Sequence, residues 1–167
     1  RSRHRLKIPE EEYKNGHILT SETVTALANE GVKVNLGAHG QLQGLGAHWE
    51  LWMLQQGGLS NHEALKAATI NGADYIGVAD EIGSLEKGKL ADLIILDKNP
   101  LEDIKNSNSV IYTMVNGRLY DVDTMNEVGN YDTKRSKFYF EMDGYNQGVP
   151  VNLKTNSFLT PRCSCHE

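Results

Sequence analysis

The sequence predicts an α/β fold, and three observations carry that expectation. A helical stretch closed by Gly31 runs straight into the short β-prone segment Val32-Lys33-Val34-Asn35-Leu36, with almost no loop between them. An apolar run from Ala91 to Leu96 has the pattern of a buried strand. Two further β-prone runs, Val110–Val115 and Arg118–Tyr120, flank Asn116-Gly117, a dipeptide that accepts the positive φ angles of a type I′ hairpin turn.

In chain order, residues 1–18 read as an irregular segment, basic at Arg1, Arg3, His4, Arg5 and Lys7 and acidic at Glu10, Glu11 and Glu12. The first helix is expected to open at the hydroxyl pair Thr20-Ser21, ahead of Val24, Leu27 and Ala28 at helical spacing. After the strand comes a loop punctuated by Gly37, Gly40, Gly44 and Gly46, which matches neither common phosphate-binding glycine pattern and frees the backbone near a site. His48 to Gln55 reads as a short helix crowded with Trp49, Leu51, Trp52 and Met53, residues suited to a core, and Gly57-Gly58 ends it. Ser60 and Glu63 form an S-x-x-E capping box, opening a helix in which Leu65, Ala68 and Thr69 share a face. Residues 82–89 read as a strand and turn, and Pro100 stops the apolar strand that follows. From Asp121 onward the chain is polar, with scattered aromatics, and is expected to be a tail that wraps a larger body.

Composition excludes several roles. The 167 residues are 39% hydrophobic, which describes one globular unit with room for a core. A net charge of −5 repels phosphate backbones, so no nucleic-acid partner is expected. No run approaches the ~20 apolar residues of a membrane span, and no signal-peptide core follows Arg5; no membrane partner is expected. Cys163 and Cys165, separated by one residue, are poorly placed for a mutual disulfide, and with His166 they offer three soft ligands where a zinc site usually has four. The chain begins at Arg1 rather than Met, and the expectation is a start made by truncation, processing or disorder.

Four stretches together resemble a known family: Gly-Ala-His-Gly-Gln-Leu-Gln-Gly-Leu-Gly-Ala-His-Trp-Glu-Leu-Trp (37–52), Glu-Ala-Leu-Lys-Ala-Ala-Thr (63–69), Ile-Gly-Ser-Leu-Glu-Lys-Gly-Lys-Leu-Ala-Asp-Leu-Ile-Ile-Leu-Asp (82–97) and Val-Asn-Gly-Arg (115–118). They resemble the C-terminal portion of the metal-dependent amidohydrolase superfamily, in its imidazolonepropionase-like and dipeptidase-like branches. The 82–97 block is the most specific piece. The resemblance implies that the chain is a C-terminal fragment of a (β/α)₈ amidohydrolase barrel with part of its small β-sandwich. Residues 1–80 would supply the last portion of the barrel, 81–122 sandwich strands and the hairpin, and 123–167 a polar C-terminal tail. A whole barrel takes about 250 residues, so the missing N-terminal portion of the parent would be a partner of this one.

The resemblance also directs attention to His39, just past the C-terminal end of the predicted Val32–Leu36 strand, the end that faces the active site in such barrels. Family members usually hold there an Asp that touches the metal and takes a proton from bound water. His39 stands in its place, able to act as base or as a single-point ligand but not to chelate through two oxygens; the alternative is a histidine that fastens the glycine loop. Gln41 and Gln43 are candidates to donate to substrate from the glycine loop, and His48 and Glu50 to supply a supporting hydrogen bond or a substrate contact, with ordinary loop or helix-start roles as the alternative. The implied cofactor is a divalent metal, zinc by the family's habit, held in the full-length parent. The family's first ligand pair is a His-x-His, and the six histidines, His4, His17, His39, His48, His62 and His166, contain none.

Two functions therefore stand open. One is a C-terminal fragment of a metal-dependent hydrolase of C–N bonds, amide or cyclic amide, inactive by itself. The other is a non-catalytic interaction or oligomerisation module. A His-x-His on a predicted strand upstream of Arg1 would decide for the enzyme. Either way the unpaired strand edge and the apolar Trp49–Met53 helix predict self-association.

Overall fold

A hydroxyl that caps a helix must lie outside it, and neither Thr20 nor Ser21, the expected caps, does. In the computed structural model, which describes residues 10–39 and 42–142 with side chains from Gly16 onward, helix α1 runs from Glu10 to Asn29. The helix thus includes residues 10–18 of the segment expected to be irregular; residues 1–9 lie outside the described residues. Thr20 Oγ1 donates to the Gly16 carbonyl and Thr23 Oγ1 to that of Leu19, each at 3.0 Å, so these hydroxyls bond back one turn instead of capping. The far end follows expectation. Gly31, at φ 89°, donates to Ala28 O while Val32 N–H reaches Leu27 O, the paired bonds of a Schellman motif.

Residues 32–36 are extended but carry no ladder, which corrects the predicted strand: among the described residues no strand pairs with them. Their backbone is held by helices instead. Leu36 N–H donates to Ala67 O at 3.0 Å, and Asn71 Nδ2 donates to Val34 O at 3.0 Å. The helices concerned are α2 (Leu45–Gln56), α3 (Asn61–Ala67) and α4 (Ile70–Tyr75). Ser60 caps α3 as expected, its Oγ accepting from Glu63 N–H at 3.1 Å.

Two small apolar clusters join these elements. Leu51, Ala64 and Ile104 form one; Leu54, Leu59 and Ala67 form the other, with Val24, Ala28 and Val34 packed on it, and Leu36 touches both. α1 meets α2 at Gly57, where a Cβ would come within 2.3 Å of Ser21 backbone. Only glycine permits that approach. Gly57→Ala is expected to cost ~1–3 kcal/mol through overpacking, read as a lowered thermal midpoint; an unchanged midpoint would contradict this contact.

Residues 82–89 form turns and bends, not the predicted strand. Lys89 ties them, its Nζ donating to Ala79 O at 2.6 Å and to Ser84 Oγ at 2.5 Å. Beyond lies an antiparallel sheet of four strands in the order β1 (Leu93–Leu96), β2 (Val110–Val115), β3 (Arg118–Asp121), β4 (Glu127–Val128). The β2–β3 hairpin is as predicted, with Asn116 at φ 49° and Gly117 at φ 77° pairing Val115 with Arg118. β1 exists but is not buried: Ile94 is 54% exposed. An apolar run specifies a strand that can be covered, not the cover. β4 lies within the segment read as the start of the polar tail.

β4 pairs with β3, Glu127 and Thr133 exchange backbone bonds, and one ion pair adds to this. Glu127, 2% exposed, accepts from Arg118 Nε at 2.7 Å and Nη2 at 2.5 Å, and the guanidinium lies 5.4 Å from the Tyr131 ring centre. The Arg118 bonds hold the Glu127 carboxyl below its ordinary value of 4.5. Its stabilisation is therefore complete above pH 4.5 and is lost as pH falls through the lower folded value. Glu127→Gln should lower the melting temperature at neutral pH and flatten its fall in acid; an unchanged acid profile would contradict the pair's role.

Chain contacts divide the molecule into Arg1–Thr133 and Lys134–Glu167. In the second unit a short 3₁₀ turn, Tyr139–Glu141, is closed by Arg135, which donates to both Glu141 oxygens at 2.6 Å. Those bonds bring the Glu141 carboxyl down to about 2. No helix among the described residues is long and apolar enough to cross a membrane.

Candidate functional site

Helix α2 is apolar on more than one face, and this sets the site. Leu51 and Leu54 turn into the clusters, while Gly46, Trp49, Glu50 and Met53, at i, i+3, i+4 and i+7, line the wall of a concavity of about 540 Å³. Gly37, Ala38 and His39 form the opposite rim. His39, the residue singled out by its position in the sequence, is thus brought against Trp49, Glu50 and Met53 in one hollow.

The rim is held in an uncommon backbone form. Ala38 and His39 both have φ 38°, in the left-handed region that L side chains seldom occupy, at a cost of ~1–3 kcal/mol each. His39 N–H turns back to Gly37 O at 2.5 Å. The compensation comes from Glu50: Gly37 N–H lies 3.0 Å from both carboxylate oxygens, and Ala38 N–H donates to Oε2. A carboxylate on a core-anchored helix therefore clamps two successive amides of the loop.

The other candidates lie elsewhere. His48 faces away from the hollow: its Nδ1 is 3.0 Å from Ser107 Oγ, and burial lowers its pKa, favouring the neutral ring. Trp52 Nε1 donates to the same Ser107 Oγ at 3.0 Å and to Ile104 O at 3.2 Å, so His48 and Trp52 together dock α2 onto the 3₁₀ turn Ile104–Asn108. Gln43 is exposed, its carbonyl accepting from Leu45 N–H at 3.0 Å. Gln41, Cys163, Cys165 and His166 lie outside the described residues. Sequence reasoning missed Ser107 and the Gly37–Ala38 amide pair. The first carries no local signal, being 59 residues from His48, and the second joins Glu50 to backbone 12 and 13 residues away, which residue types do not encode.

Among the described residues no three His, Cys, Asp or Glu side chains gather as a metal site would require. His39 offers one donor, and the nearby Glu50 carboxylate is engaged by backbone. These residues do not by themselves fit a divalent cation.

Comparison with known proteins agrees with the residues that carry the resemblance. Over 111 residues the chain is 36% identical to a 5-methylthioadenosine/S-adenosylhomocysteine deaminase of Teredinibacter turnerae, covering 58% of this chain and 25% of that protein. It is 64% identical over 39 residues to an imidazolonepropionase of Symbiobacterium thermophilum, 23% of this chain and 9% of the relative. The crystal structure of a Xaa-Pro dipeptidase with bound methionine in the active site matches 60% of this chain and 25% of its own, with a TM-score of 0.56 and 33% identity. The chain thus spans about 25% of the length of the first of these relatives. The model of the amidohydrolase family matches residues 14–120, which take in the helices, the His39 loop and the first three strands, and on that match the chain belongs to the amidohydrolase family.

Proposed function

We propose that this chain is the C-terminal portion of a hydrolase that adds water across C–N bonds, amide or cyclic amide, with residues upstream of Arg1 supplying the rest of a (β/α)₈ barrel. The observation that carries the reading is the placement of His39: at the end of the Val32–Leu36 segment, on the rim of a hollow, within the matched region. Relatives whose names declare a deaminase or a dipeptidase differ in substrate but share cleavage of a C–N bond by water, which supports the reaction class rather than one substrate. In this reading, loops of the parent outside residues 1–167 would complete the choice of substrate.

In this reading the imidazole of His39 accepts a proton from the attacking water as its oxygen bonds to the electrophilic carbon. The nitrogen leaves with a proton as the C–N bond breaks. The Trp49 and Met53 side chains, 44% and 36% exposed, give the substrate an apolar wall. Gln43, exposed just before α2, and Gln41, outside the described residues, are the candidates for contact with the substrate's polar end. A divalent metal, zinc by the family's habit, would need its remaining donors from outside this chain.

The test is a panel of acyl-proline dipeptides, cyclic amides and amino-purines given to the whole protein that carries these residues. The expected result is amine or ammonia release from at least one class. A folded, metal-supplied protein that turns over none of them would overturn the reading.

A further inference from the structure

We infer that Glu50 is a positioning residue for His39: its carboxylate fixes the left-handed turn that carries the imidazole, and so sets where that ring stands in the hollow. The inference rests on the reading of His39 as the reacting group. Three observations lead to it. First, Glu50 is on α2, whose other face is locked into the apolar clusters by Leu51 and Leu54, so the carboxylate sits on a rigid element. Second, its oxygens accept from two successive amides, Gly37 and Ala38, and are therefore committed to the loop backbone. Third, the two residues that follow Gly37 are the ones in the left-handed region, Ala38 and His39, and His39 N–H closes the turn on Gly37 O.

The physical consequence is direct. Positive φ is unfavourable at both Ala38 and His39, and the local restraint is the single His39 N–H bond to Gly37 O. With the carboxylate gone, both amides lose a charged acceptor and the loop relaxes towards negative φ, which swings the His39 Cβ and its ring away from the Trp49–Met53 wall. Glu50 acts through the backbone, and no proton transfer is assigned to it.

The experiment uses the whole protein with Glu50→Ala and, because truncation of a loop clamp can weaken folding, Glu50→Gln, whose remaining side-chain carbonyl can still accept from one amide. NMR of the His39 ring and of the Gly37 and Ala38 amides is read first, since it needs no substrate. Glu50→Ala should move all three sets of resonances, and Glu50→Gln should move them less. Unchanged His39 ring resonances in either folded variant would overturn the inference. On a turned-over substrate, Glu50→Ala should lower kcat by about 10- to 100-fold with KM little altered, and should add nothing in a His39→Ala background. A full additional loss in that background would also overturn it, because Glu50 would then act apart from His39. If His39→Ala alone leaves turnover intact, the functional reading fails, and the ring resonances still decide whether Glu50 orients the loop.

Discussion

His39→Ala in the whole protein is expected to lower turnover by at least ~10²-fold, the lower end of what a general base contributes, with little loss of folded protein. The side chain is exposed on the rim and belongs to neither apolar cluster, so its removal leaves no cavity in the core. Alanine also already occupies the same φ one position earlier, at Ala38, so the turn that Glu50 clamps should survive the substitution. The measurement is steady-state kinetics beside a thermal melt. Near-wild-type turnover in a well-folded variant would leave His39 as a fastener of the glycine loop and remove the catalytic assignment.

Residues 1–167 expressed alone are expected to show no hydrolase activity at all and to self-associate. One candidate donor cannot hold a catalytic metal against water. The surfaces point the same way: the Val32–Leu36 segment carries no ladder, Trp49 is 44% exposed on a helix with apolar residues on more than one face, and Ile94 is 54% exposed on β1. Surface of that kind is expected to find a second copy. Metal-dependent turnover of simple amides or dipeptides by the isolated chain would contradict the first expectation. A compact monomer with a cooperative melt in sedimentation and calorimetry would contradict the second, and would favour an interaction module over an enzyme portion.

What the sequence made legible was local. Asn116-Gly117 specifies its turn through backbone φ, Ser60 and Glu63 specify a helix start, and Gly31 a helix end; all three are formed as the residues imply. What it hid depends on partners. Thr20 and Ser21 have hydroxyls that suit a cap as well as a helix interior, and α1 runs through both, with Thr20 bonded back to Gly16. Val32–Leu36 has the composition of a strand, but pairing needs a neighbour, and α3 and α4 take only the Leu36 N–H and the Val34 carbonyl. At the site, the place of His39 after that segment marks it as a candidate, and the structure puts it on the rim of the hollow. The clamp by Glu50 joins residues 13 apart through side chain and backbone, and no pattern of residue types records such a bond.

The most direct measurement is isotopic. The whole protein is incubated with an amide substrate in ¹⁸O-water, before and after removal of divalent metal by a chelator, and the products are weighed by mass spectrometry. One ¹⁸O in the new carboxyl group, with amine released in equal amount and both lost on chelation and restored by added metal, is the result expected of a metal-dependent C–N hydrolase. Amine release without ¹⁸O in the product, or turnover indifferent to the chelator, would contradict it.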